Sequence, residues 1–182
     1  MLSRSNIIVA LTALSGLSST FLMIKHVGIS SGADDYYFSM AVVAYTLIVV
    51  MWPFEQYIFF IRNQLSSWSF FVSVFQVLSL WGVIASFSVY WIISLIFELA
   101  ESKVFPILML APLIMALNTV TRLHLNYLKS YDVALFFQLV ASIIFLTGVF
   151  LAKDNTVQIA YAYVVGHAFA LLGSIVALGR KE

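Results

Sequence analysis

The sequence predicts an all-α integral membrane protein, a bundle of six transmembrane helices, and three observations carry that prediction. Of 182 residues, 63% are apolar and only 9% are charged, whereas about a quarter of an ordinary soluble domain is charged. Exposed to water, so much apolar surface aggregates unless lipid or a partner covers it. Six runs reach the roughly 20 mainly apolar residues that a helix needs to cross the hydrocarbon core. No run shows the period-two alternation of a lipid-facing barrel strand.

The first span runs from Ile7 to Ile24. A cleaved signal peptide competes for it, since Arg4, an apolar run and the small residues Ala13 to Ser19 fit that pattern. The run continues to Ile24, longer than a signal core, so a retained span is expected. After a polar break from Lys25 to Asp35 the second span covers Tyr36 to Ile61, and the third covers Trp68 to Phe97. The third exceeds one perpendicular crossing, with Phe70/Phe71 and Tyr90/Trp91 spaced as aromatic belts at the two interfaces. The fourth, fifth and sixth spans are Val104 to Leu125, Val133 to Leu151 and Thr156 to Leu178. The breaks are short, so residues 1–182 form a single membrane domain.

Orientation follows from the cations, because Lys and Arg near span ends stay on the cytoplasmic side. With the N-terminus inside, Arg4, Arg62, Arg122, Lys129, Arg180 and Lys181 are cytoplasmic and Lys25, Lys103 and Lys153 are outside. Both termini are therefore expected in the cytoplasm. The net charge of +1, with cations scattered singly among acids, argues against a nucleic-acid partner. Without cysteine the chain has no disulfide or thiolate chemistry.

The first hairpin carries Gly16, Lys25, Gly28 and the run Gly32-Ala33-Asp34-Asp35-Tyr36-Tyr37-Phe38. It resembles the first two helices of the lipid II flippases and related polysaccharide exporters, within the multidrug/oligosaccharidyl-lipid/polysaccharide flippase superfamily. Leu117 to Phe137, a basic, Asn-containing helix end followed by a Tyr-Asp turn, is similar to the fourth-to-fifth helix junction of the same proteins. The resemblance implies one six-helix lobe, the N-terminal one, of a two-lobe transporter. The implied activity is flipping or export of lipid-linked oligosaccharide or polysaccharide precursors by alternating access. It further implies a prokaryotic cytoplasmic membrane and a second lobe or second copy as partner, since rocking around a shared site takes two bundles.

By that resemblance Lys25 faces the cavity and attracts an anionic diphosphate, although the residues themselves favour a snorkelling Lys at the outer interface. The family's earlier basic position falls at Ser19. Asp34 matches the family's Asp and also fits a helix cap. Glu55, two residues after Pro53, stands where a proline favours a kink and where a carboxylate could take up protons or pair with an Arg, or else reach out to the headgroup layer. Asn118, Arg122 and Asn126 recur every four residues and so share a helix face. Arg122 is a candidate partner for Glu55 or a bidentate anion contact, or else a cytoplasmic anchor.

Ala162, Gly166, Ala170 and Ser174 form a small-residue stripe that admits a close helix neighbour, within the chain or in a second copy. Gln76 and Gln138 read as interhelical hydrogen-bonding groups. His26, His124 and His167 lack metal-motif spacing, and no phosphate loop or nucleophile elbow is present. No metal, cofactor or enzymatic activity is therefore expected. Two alternatives remain: a non-catalytic helical subunit packed against another membrane protein, and a homodimeric small-molecule exporter.

Overall fold

A computed structural model describes residues 4–28, 32–61, 68–97, 102–128 and 130–179, with the side chains of residues 4, 5, 8, 16, 55–61 and 131 outside the description. The described residues form seven helical segments: α1 (Arg4–Val27), α2 (Ala33–Ile61), α3 (Trp68–Phe97), α4 (Phe105–Leu108), α5 (Ala111–Tyr127), α6 (Tyr131–Ala152) and α7 (Thr156–Gly179). Five stretches are long and apolar enough to cross a membrane: Ala33–Phe54, Trp68–Phe97, Phe105–Tyr127, Asp132–Ala152 and Thr156–Gly179. The chain is thus an all-α integral membrane protein with five such stretches among the described residues. The remaining expected span, the first from Ile7 to Ile24, falls on α1, a helix of 24 residues whose side chains are only partly described.

Helices suit this chain because lipid offers no hydrogen bonds, so each backbone group must find its partner within its own helix. Several hydroxyls follow the same rule. Ser19, Thr46, Ser79, Thr121 and Ser142 each donate to the carbonyl four residues earlier, at 2.7 to 3.1 Å.

The fourth expected span differs from expectation, being two helices rather than one. Pro112 has no amide hydrogen to give to the Leu108 carbonyl, and its ring crowds that position. The chain instead tightens, with the Leu110 amide donating to the Ile107 carbonyl at 3.2 Å, and the ladder resumes from the Ile114 amide to the Leu110 carbonyl at 3.4 Å. Pro53, by contrast, lies within a continuous α2. Helix α3 has 30 residues, or about 45 Å at 1.5 Å per residue, which exceeds the roughly 30 Å hydrocarbon core.

Helices α5 and α7 form the middle of the bundle, α7 packing on α6 and α5 and more lightly on α4 and α2, and α5 also on α2, α3 and α6; α6 packs in turn on α1. The buried residues divide into two main clusters along the helices. One holds Val50, Phe54, Phe71, Leu78, Val120, Leu125 and Leu178. The other, toward the opposite end, holds Val27, Tyr36, Val43, Leu108, Val149 and Ile159. Helices α1 and α3 are peripheral, presenting Leu14, Leu17 and Phe21, and Leu80, Phe87 and Leu95, outward. Such faces are stable only against lipid or a partner.

The turn from α6 to α7 is sharp. The Asn155 amide donates to the Ala152 carbonyl at 3.0 Å, with Lys153 at φ 50°. The Asn155 side chain then accepts the Gln158 amide at 3.1 Å, occupying one of the free donors at the start of α7.

Candidate functional site

The polar side chains are distributed over the two ends and the middle of the bundle. At the end where α1 finishes and α2 begins, Lys25 and Asp34 are both exposed. Helix α2 opens at Ala33, and the Tyr36 amide donates to the Gly32 carbonyl at 3.0 Å. Asp34 is therefore the second helical residue, where a carboxylate complements the positive end of the helix dipole.

Its neighbour Asp35 makes the specific contact. Ser102 donates to the Asp35 carboxylate, 2.8 and 2.9 Å from its two oxygens, and accepts the Phe105 amide at 2.9 Å. This ties the start of α2 to the start of α4. His26 of α1 approaches Asp154 of the α6–α7 turn, Nδ1 to Oδ1 3.6 Å, with Asp154 68% exposed. Sequence reading did not single out Ser102, although a Ser three residues before the first helical turn is a capping signal.

At the opposite end the i, i+4 series on α5 runs from interior to surface: Asn118 is buried, Arg122 half-buried and Asn126 exposed. The Asn118 Oδ1 is buried without a hydrogen-bond partner among the described residues. Thr121 and His124 share the buried side of α5. The His124 ring stacks on Phe71, centroids 4.5 Å apart at 14°, with Trp68 at 6.0 Å. The spacing that drew attention to Arg122 gave no sign of this aromatic bracket, which comes from α3. The Glu55 side chain, and with it the expected pairing to Arg122, lies outside the described residues. So do Arg62, Lys129, Arg180 and Lys181 and the side chain of Arg4, from the cations expected inside.

The small-residue stripe on α7 is used within the chain. A Cβ on Gly166 would stand 2.9 Å from the Ala141 carbonyl oxygen of α6, and one on Gly148 of α6 would meet the Ala162 side chain. Ala170 and Ser174 are also buried. Backbone approach this close explains why residues without bulk stand at these positions.

Between α6 and α7, Gln138, Ser142, Tyr163 and His167 line a polar cavity of about 50 Å³. Two larger concavities are almost wholly apolar. One of about 270 Å³ lies between α3 and the α4–α5 break, against Phe87, Tyr90, Pro106 and Met109. The other, about 340 Å³, lies between α2 and α3 against Pro53, Phe54, Phe70 and Val77. Among the described residues no three His, Asp or Glu side chains converge as a metal site. The chain matches no protein-family model, no curated protein and no solved structure.

Proposed function

We propose that this chain is one half of a membrane transporter that flips or exports lipid-linked oligosaccharide or polysaccharide precursors by alternating access, completed by a second lobe or a second copy. The observation that carries the reading is the position of the polar side chains. Lys25 and Asn126 are exposed, Arg122 is half-buried, and the two larger concavities are apolar. Groups able to attract an anionic diphosphate thus lie on the surface of this six-helix unit, at both of its ends. A substrate path along that surface becomes enclosed only when another bundle faces it.

Lys25 and Arg122 are the cationic contacts of that path, with Asn118 and Asn126 flanking Arg122, Asp34 beside Lys25, and Glu55 as the acidic member. The alternative of a non-catalytic subunit drew on the Ala162–Ser174 stripe as a free docking face. Close packing of Gly166 and Ala162 on α6 removes that support.

Native mass spectrometry of the full chain released from gentle detergent tests the proposal. A dimer, or a complex with a second six-span chain, carrying a lipid-linked sugar is expected. A bare monomer, or a stable complex with an enzyme, would overturn it. In the assembled form, neutralising Lys25, Glu55 and Arg122 together is expected to reduce substrate binding and transport at least tenfold. Unchanged transport would remove these residues from the path.

A further inference from the structure

Halfway along α7 stands His167, an ionisable side chain that the transporter reading does not use. Gln138 and Ser142, which line the same cavity, occupy the middle of α6, so the site lies near mid-membrane depth. Ionisable groups at that depth are costly and are kept where they face an interior cavity or one another. The His167 ring meets Tyr163 edge-on, centroids 4.7 Å apart at 72°. Its Nδ1 is buried without a hydrogen-bond partner among the described residues. A buried nitrogen in that state is costly unless a small polar molecule reaches it.

The cavity supplies the room. Its volume of about 50 Å³ exceeds the roughly 10–15 Å³ that a water molecule requires, and water also needs two to four polar partners. The Gln138 amide offers both a donor and an acceptor. The Ser142 hydroxyl already donates to the Gln138 carbonyl at 3.1 Å, so it meets water as an acceptor. Tyr163 directs its hydroxyl to the Met115 sulfur at 3.5 Å, which leaves its oxygen lone pairs available. Whichever tautomer the imidazole adopts, its Nδ1 can bond to water as donor or acceptor.

We infer that this chamber is a water-binding site at mid-membrane depth and that His167 exchanges a proton through the bound water. Proton uptake forms an N–H bond on the neutral imidazole and breaks an O–H bond of the hydronium that delivers it, leaving neutral water. Among the described residues, the titratable groups near the site are tyrosines: Tyr163 on the same helix and Tyr36 of α2, packed in the same apolar cluster. Helix α5 contributes Met115 beside the Tyr163 hydroxyl, α6 contributes Gln138 and Ser142, and among the described residues no charged side chain lines the chamber. On α1, which packs against α6, Lys25 and His26 stand at the end of the helix. With no counter-ion among the described residues lining the chamber, the inferred water is the group that would exchange a proton with His167. This inference stands independently of the transporter reading.

Solid-state NMR of the full chain in phosphatidylcholine bilayers, with nitrogen-labelled histidine, tests it. The signal lost in His167→Gln identifies the ring; if that variant does not fold, His26→Gln and His124→Gln identify it by elimination. The expected result is transfer of magnetisation from water to the His167 ring, together with a change of its nitrogen shifts from the neutral to the charged form within about pH 4 to 9. A ring that receives nothing from water overturns the water site, and nitrogen shifts that stay fixed over that range overturn the proton exchange.

Discussion

Ser102 donates to both carboxylate oxygens of Asp35, at 2.8 and 2.9 Å, while accepting the Phe105 amide. One hydroxyl thereby connects the first turn of α2, the chain leaving α3, and the turn of helix ahead of the Pro112 break. Asp35 and Ser102 are each half-buried, so losing either partner leaves a poorly solvated polar group behind.

Ser102→Ala and Asp35→Ala are each expected to lower stability by about 1–2 kcal/mol. The double variant should cost less than the sum, since the two act through one contact. Thermal unfolding in detergent measures this, and strict additivity would deny the coupling. Asp154→Ala, at the exposed approach to His26, is the control and should leave the melting temperature nearly unchanged.

Close backbone approach between α6 and α7 gives a second expectation. Gly166→Ala places a methyl group 2.9 Å from the Ala141 carbonyl oxygen, and the helices must separate to admit it. A loss of about 1–3 kcal/mol is expected, with Gly148→Ala behaving alike. Gly179, with nothing within 4 Å of its added Cβ, should accept Ala without loss of stability.

Lys153, at φ 50° and ψ −115°, holds a conformation that suits glycine as the first central residue of the Ala152–Asn155 turn. Lys153→Gly is expected to raise stability by about 1 kcal/mol, read as a higher melting temperature. A fall would mean that the lysine side chain contributes more than its backbone conformation costs.

Because the chain has no cysteine, a single introduced thiol reports orientation directly. Lys103→Cys and Lys153→Cys, both at exposed positions, are expected to react with a membrane-impermeant maleimide added to intact cells. Asn126→Cys should react only after permeabilisation. The reverse pattern would invert the topology drawn from the cations.

Several helix boundaries were legible in the sequence. The third span was read as Trp68 to Phe97, the limits of α3, and the sixth as Thr156 to Leu178, one residue short of α7. Hydrocarbon thickness sets the length of an apolar run, and polar or turn-forming residues end it, so both signals are local. The break in the fourth span was less legible although Pro112 was visible, because Pro53 shows that a proline can also lie within a continuous helix.

The candidate site was legible as residue types and spacing only. The α5 periodicity placed Asn118, Arg122 and Asn126 on one face, yet their passage from buried to exposed depends on α5 packing against α2, α3 and α7. In the sequence His167 was noted only among the histidines set aside as a metal motif. Its significance comes from Gln138 and Ser142, which lie on another helix.

By itself, then, the sequence determined that the chain is helical, that it belongs in a membrane, and approximately where its long helices begin and end. The tertiary structure alone decided that α5 and α7 lie in the middle and α1 and α3 at the periphery, that Asp35 meets Ser102, and that Ala162 and Gly166 of the small-residue stripe pack against α6. The physical reason is that membrane helices are apolar on nearly every side. Hydrophobicity then fixes how long each helix is without marking the face it turns inward, and that choice falls to the fit of side chains between neighbours.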